Sequence, residues 1–169
     1  LKKEFQTGYV LPLAFGIAEG AERETMAEHL DRLVRERGYH LSTGFTGTPH
    51  ILFALADSGK AETAYKLLLQ DTAPSWLACI KEGATTTWEE WTIDPKKEGN
   101  IPSYNHYAYG VVGDFLYRRV AGIEPMEGGY KEFSVRPVPG GGLTYAKASV
   151  KTPYGMAASE WHLVGGKFS

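Results

Sequence analysis

Apolar residues change their spacing once along this chain. Up to about residue 121 they recur at helical intervals; after Gly122 they alternate with polar residues in short runs broken by Gly and Pro. Residues ~4–18 are apolar on most sides, with Tyr9, Val10, Leu11, Leu13, Ala14, Phe15 and Ile17. Such a helix is expected to be buried on most sides. Pro12 predicts a kink in it, because a mid-helix proline loses a hydrogen bond and clashes with the preceding turn. Gly20 is expected to close it. Residues ~21–37 predict an amphipathic helix with Met26, Ala27, Leu30, Leu33 and Val34 on one stripe, stopped by Gly38. A loop, Ser42 to Thr48, leads to Pro49 at a first helical position. The run Ile51 to Ala56 is nearly all apolar and ends at Ser58-Gly59. Lys60 to Gln70 is amphipathic, with Ala64, Tyr65, Leu67 and Leu68. Pro74 to Asn105 reads as irregular, and a loop this long in a compact domain is usually functional. Asn105 to Ala121 predicts one further helix, carrying Tyr107, Val111, Val112, Phe115, Leu116 and Val120.

Helices apolar all round thus alternate with amphipathic ones. An inner and an outer ring of helices, an α/α toroid, would produce that alternation, and so would a simple bundle. The C-terminal pattern predicts at least three strands. Phe133 and Val135 alternate with polar neighbours, as do Ala146, Ala148 and Val150, and Thr152-Pro153-Tyr154-Gly155 reads as a hairpin turn into Ala157 to Leu163. No internal repeat is present. Both ends read as cuts through a larger protein: Leu1-Lys2-Lys3 runs directly into an apolar segment, and Gly165-Gly166 opens a new strand.

Composition narrows the classes. The chain has 169 residues, a formal charge of -2, 43% hydrophobic and 22% charged residues. This suits an ordinary globular chain and offers no basic stripe for nucleic acid. No uncharged apolar run approaches the ~18 residues of a membrane helix. A single cysteine, Cys79, excludes an internal disulfide and a multi-cysteine zinc site, and leaves the compartment open.

The candidate chemistry lies in Gly83-Ala84-Thr85-Thr86-Thr87-Trp88-Glu89-Glu90-Trp91 and Ser103-Tyr104-Asn105-His106-Tyr107-Ala108-Tyr109-Gly110. Aromatic faces stack on sugars, and carboxylates do acid–base work. An inverting glycosidase places two carboxylates roughly 6.5–9.5 Å apart, leaving room for a water. Glu89 and Glu90 are adjacent and cannot both face one bond, so a partner must come from elsewhere; Asp94, Glu98 and Asp114 are the carboxylates in range. Taken alone, Trp-Glu-Glu-Trp reads as packing tryptophans and solvated glutamates, and a lone His106 as a hydrogen-bonded structural histidine. Gly44-Phe45-Thr46-Gly47 lacks the lysine of a phosphate loop.

Together, these segments resemble the α-L-rhamnosidase family of inverting glycoside hydrolases, family 78. The resemblance runs through Thr43-Gly44-Phe45-Thr46-Gly47-Thr48-Pro49, Pro74-Ser75-Trp76-Leu77, Gly83 to Trp91, Asn105 to Arg118, and Val120-Ala121-Gly122-Ile123, and it extends to Gly129-Tyr130-Lys131 and Gly142 to Ala146. It implies a mostly α chain: the C-terminal half of an (α/α)6 catalytic barrel over residues 1–124, then the N-terminal part of a C-terminal antiparallel β-sandwich over 125–169. It implies Glu89 as general base, and His106, with Trp88 and Trp91, as sugar-binding residues. The family's general acid lies in an acidic motif that nothing here matches. The family often carries an aspartate directly after the second tryptophan; here Thr92-Ile93 intervene before Asp94.

The function this implies is inverting removal of terminal α-L-rhamnose from rhamnose-containing glycosides or oligosaccharides. No metal or other cofactor is expected, nor any nucleic-acid or membrane partner. The rest of a parent chain is the expected partner, and the 169 residues alone are expected to be inactive and to self-associate through exposed inner-ring helices. Two other readings share the fold: a different six-hairpin glycosidase, and a non-catalytic sugar-binding or scaffold protein.

Overall fold

The computed structural model describes residues 4–91 and 102–169; Asp94 and Glu98 lie outside them. The chain divides into two compact units, Leu1–Val111 and Val112–Ser169.

The first unit is helical. Helix α1 spans Gln6–Ala14, α2 Gly20–Glu36, α3 Thr48–Ala56 and α4 Ala61–Leu68. The nearly all-apolar α1 and α3 pack on each other, and the amphipathic α2 and α4 pack on each other, with α1–α2 and α3–α4 contacts closing the set. This is the arrangement expected of an inner and an outer layer. The core is Val10 and Leu13 of α1, Leu30 and Val34 of α2, Ile51, Leu52 and Leu55 of α3, and Ala64, Tyr65 and Leu67 of α4.

The expected boundaries of the first helix need correction. Pro12 falls in its last turn, and the chain leaves the helix after Ala14 instead of bending and continuing to residue 18. Its carbonyl then accepts from the Ile17 and Ala18 amides at 3.0 and 3.2 Å. Gly16, at φ +65°, turns the chain out; Gly20 begins α2 and does not end α1. Gly38 does stop α2, at φ +62°. There the Tyr39 amide reaches back to the Val34 carbonyl at 2.9 Å, a left-handed C-terminal closure. Asp31, buried on α2, accepts from the Thr63 hydroxyl of α4 at 2.5 Å and pairs with Arg35 at 2.9 Å.

Two further differences lie nearer the site. A short helix α5, Trp76–Lys81, stands where an irregular segment was expected, and its N-cap Ser75 accepts from the Ala78 amide at 3.1 Å. The helix expected from Asn105 to Ala121 is broken. Helix α6 covers Tyr107–Gly110; Val111 interrupts; α7 covers Val112–Phe115 and continues as a π turn, Leu116–Val120.

The second unit joins α7 and the π turn to two antiparallel sheets. Strand β1 (Ile123–Pro125) pairs with β2 (Phe133–Val135). Strand β3 (Tyr145–Thr152) pairs with β4 (Gly155–Val164) through the turn at Pro153-Tyr154, and β4 pairs with β5 (Lys167–Phe168). Trp161, 1% exposed, donates its indole N–H to the Val120 carbonyl at 2.8 Å, and the Ser159 hydroxyl donates to the Ala121 carbonyl at 2.7 Å. The last carbonyls of the π turn are thereby satisfied by the sheet. At Gly122 (φ +87°) a Cβ would lie 2.3 Å from the Pro137 nitrogen, so only glycine fits.

Candidate active site

Two segments distant in sequence lie side by side in the first unit. The Glu89 amide donates to the Ser103 carbonyl at 2.9 Å, and the His106 amide donates to the Thr87 carbonyl at 2.7 Å. Side chains reinforce the pairing. The Thr87 hydroxyl donates to the His106 carbonyl at 3.1 Å, and the Thr86 hydroxyl donates to the Tyr104 carbonyl. A run of threonines is suited to this, since each offers a hydroxyl that can bond a neighbouring backbone. Gly110 lets α6 come close: a Cβ there would meet the Thr87 Oγ1 at 3.3 Å.

Glu89 is exposed, and its Oε2 accepts from the Ser103 amide at 2.8 Å. One carboxylate oxygen is therefore oriented by backbone. Glu90, also exposed, has no such bond to the paired segment among the described residues. Asp114 belongs to the second unit and pairs with Arg118 at 2.9 Å.

The aromatic residues take different stations. Trp88 is half-buried and meets Tyr104 edge-on, with centroids 5.9 Å apart. Trp91 is wedged against Trp76 at 5.6 Å and Tyr109 at 4.8 Å, both nearly perpendicular. The buried Cys79 thiol donates to the Trp91 carbonyl at 3.6 Å, and burial pushes its pKa up, which suits packing and not reactivity. The Trp76 indole N–H donates to the Tyr109 carbonyl at 2.9 Å. Tyr109 in turn meets His106 at 5.0 Å. Burial raises the Tyr109 phenol, and the negative charge of Glu89 raises it further.

His106 precedes α6, and its ring is also stacked on Tyr107 at 5.7 Å, 9° from parallel, with Phe45 at 6.4 Å. Its Nδ1 is buried and has no hydrogen-bond partner among the described residues. A buried polar atom without a partner is uncommon and marks a place where a ligand or water can bond. The structure thus brings Glu89, Trp88 and His106 onto one pair of segments, with Trp91 packed on Trp76 and Tyr109. Phe45, Ser103, Tyr104 and Tyr109 join this cluster although no site role was expected of them. Their proximity depends on the long-range pairing, and only the repeated aromatic residues of 104–109 hinted at it. Among the described residues no group of three or more His, Cys, Asp or Glu side chains is placed to hold a metal, and no helix is long and apolar enough to cross a membrane.

Residues 1–120 match the family described as the bacterial alpha-L-rhamnosidase six-hairpin glycosidase domain, and residues 122–169 match the bacterial alpha-L-rhamnosidase C-terminal domain. An alpha-L-rhamnosidase of Formosa agariphila is 43% identical over 162 residues, covering 94% of this chain and 18% of its own length. One of Streptomyces avermitilis is 41% identical over 172 residues, covering 99% of this chain and 17% of that protein. The crystal structure of the Streptomyces avermitilis enzyme, complexed with L-rhamnose, superposes with a TM-score of 0.90 over 99% of this chain and 17% of that one. The native enzyme from Aspergillus terreus superposes with a TM-score of 0.89 at 38% identity, over 96% of this chain and 19% of that one. The chain therefore spans less than a fifth of the length of these relatives. With both domain families matched in order along it, the chain belongs to the bacterial α-L-rhamnosidase family of six-hairpin glycosidases.

Proposed function

We propose that this chain supplies the general-base side of an inverting α-L-rhamnosidase active site, acting on terminal α-L-rhamnosyl groups of glycosides or oligosaccharides. On this reading residues 1–124 belong to the helical barrel and 125–169 to the β-sandwich. The observation that carries it is the pairing of 86–89 with 103–106. It sets the Glu89 carboxylate and the His106 ring on neighbouring segments and ties one oxygen of Glu89 to the Ser103 amide at 2.8 Å. The second oxygen accepts no side-chain or backbone bond from the described residues and can take a proton from water.

The ionised Glu89 removes that proton as the water attacks the anomeric carbon. A carboxylic acid from elsewhere in the enzyme protonates the leaving oxygen, so the configuration inverts without a covalent intermediate. The buried Nδ1 of His106 is a hydrogen-bonding atom available to a sugar hydroxyl. Trp88, with Trp91 fixed three residues along by Trp76 and Tyr109, gives the sugar an aromatic wall.

Hydrolysis of an aryl α-L-rhamnoside by the full-length enzyme, followed by proton NMR, tests this. The β-anomer should appear first, and Glu89→Gln should lower turnover by roughly 10²–10⁴-fold, the usual worth of a general base. A first-formed α-anomer, or an unimpaired Gln variant, would remove Glu89 from that role.

A further inference from the structure

Phe45 carries an inference that rests on the rhamnosidase reading and deepens it. Its ring is 60% exposed, yet the turn that holds it has little freedom. The Gly44 carbonyl accepts from the amides of Gly47 and Thr48 at 3.1 and 3.0 Å, and from the Thr48 hydroxyl at 2.9 Å. The hydroxyls of Thr43 and Thr48, both buried, are 2.7 Å apart. The turn is seated hard against α1: a Cβ on Gly47 would lie 2.7 Å from the Thr7 Oγ1 and 3.0 Å from the Thr43 Cγ2. Within this chain a large apolar ring is thus left uncovered on a backbone held by these bonds, although burying it would be favourable.

What lies beside it is the site. The Phe45 centroid is 6.4 Å from that of His106, tilted by 47°. His106 stands at one end of the paired segments, opposite Thr87, and Glu89 stands two residues along, opposite Ser103. Phe45 therefore borders the end remote from the base. A pyranose with its anomeric carbon at Glu89 and a hydroxyl at His106 would present another part of its ring to Phe45. A phenyl face offers no hydrogen bond, so a hydroxymethyl group packed there would be left unpaired, whereas a methyl group loses nothing.

We infer that Phe45 is a specificity-determining residue of the sugar subsite, receiving the C5-methyl group of a 6-deoxyhexose and disfavouring the 6-hydroxylated sugar. The test uses the full-length enzyme and two substrates that differ only there, an aryl α-L-rhamnoside and the matching aryl α-L-mannoside. Phe45→Ala should lower the ratio of their kcat/KM values by ~10-fold, the usual worth of one methyl group in an apolar pocket. The loss should fall on the rhamnoside. Phe45→Tyr keeps the ring and adds a hydroxyl that can bond the 6-hydroxyl group, so it should raise the relative rate on the mannoside while thermal unfolding stays as in wild type. If both substrates fall together in Phe45→Ala and the ratio is unmoved in Phe45→Tyr, the ring only packs its loop and the inference is overturned. A wild-type enzyme that cleaves neither substrate defeats the rhamnosidase reading itself, and this inference with it.

Discussion

Trp88 and Trp91 stand three residues apart and answer to different forces. Trp91 is gripped by Trp76 and Tyr109, with centroids at 5.6 and 4.8 Å. Edge-to-face pairs of this kind add about 0.5–1.5 kcal/mol each beyond the area buried. Among the described residues Trp88 meets one ring, that of Tyr104, at 5.9 Å. Trp91→Ala should therefore lower the thermal midpoint, the loss of its two edge-to-face pairs alone costing about 1–3 kcal/mol. Trp88→Ala should leave the midpoint nearly unchanged and raise KM for an aryl α-L-rhamnoside. A midpoint loss in Trp88→Ala as large as in Trp91→Ala would contradict this division. The sequence offered Trp-Glu-Glu-Trp as a symmetrical motif, with both tryptophans equally eligible for the sugar. The difference comes from Trp76 and Tyr109, fifteen and eighteen residues away, which no local pattern connects to Trp91. Glu89, likewise, is singled out by the family resemblance and not by spacing. The amide that orients it belongs to Ser103, across a segment that local rules do not bridge.

At the scale of elements, legibility followed length and period. Helix α2 was readable because its stripe repeats over four turns and ends at a left-handed glycine. Helix α5 has six residues between Pro74 and Gly83, too few to show a period, and Ser75 was its one signal. The break at Val111 was hidden for the opposite reason: apolar residues continue at helical spacing straight through it, while the backbone changes from α to π winding. That winding brings Arg118 and Arg119 onto Glu124 of β1, at 2.7 and 2.9 Å. Burial alone would raise the Glu124 pKa, but the two guanidinium groups outweigh it and hold the carboxyl below its ordinary 4.5. A value depressed by folding contributes stability that is complete above the ordinary pKa and is lost as pH falls through the folded one. Thermal unfolding followed from neutral pH into the acid range should therefore show a destabilisation that Glu124→Gln reduces. An unchanged acid limb in that variant would assign the effect to other carboxylates.

For the whole molecule, the proposed reaction needs two carboxylates, and the proposed roles assign this chain only Glu89. Purified alone, it should give no turnover of an aryl α-L-rhamnoside; measurable turnover would mean that the acid also lies within it. Phe15 and Ile17, 64% and 72% exposed beyond the end of α1, and Tyr107, 83% exposed at the start of α6, leave apolar surface uncovered. Association of the isolated chain with itself, seen as a concentration-dependent mass in light scattering, is the expected consequence. The mostly α architecture with a β tail was legible because the apolar period switches at Gly122, where both the geometry and the families change. What the period could not reveal is that the last helical turns and the sheet share their hydrogen bonds.

Those shared bonds matter to anyone who would recombine members of this family. Trp161 and Ser159 cap the carbonyls of Val120 and Ala121, so a crossover placed where the amino-acid pattern changes would pair one parent's cap with another parent's helix end. A graft that carries Val112 to Ala121 along with the strands keeps donor and acceptor from the same source. The natural seam for a chimera therefore lies about ten residues upstream of the seam that the sequence advertises.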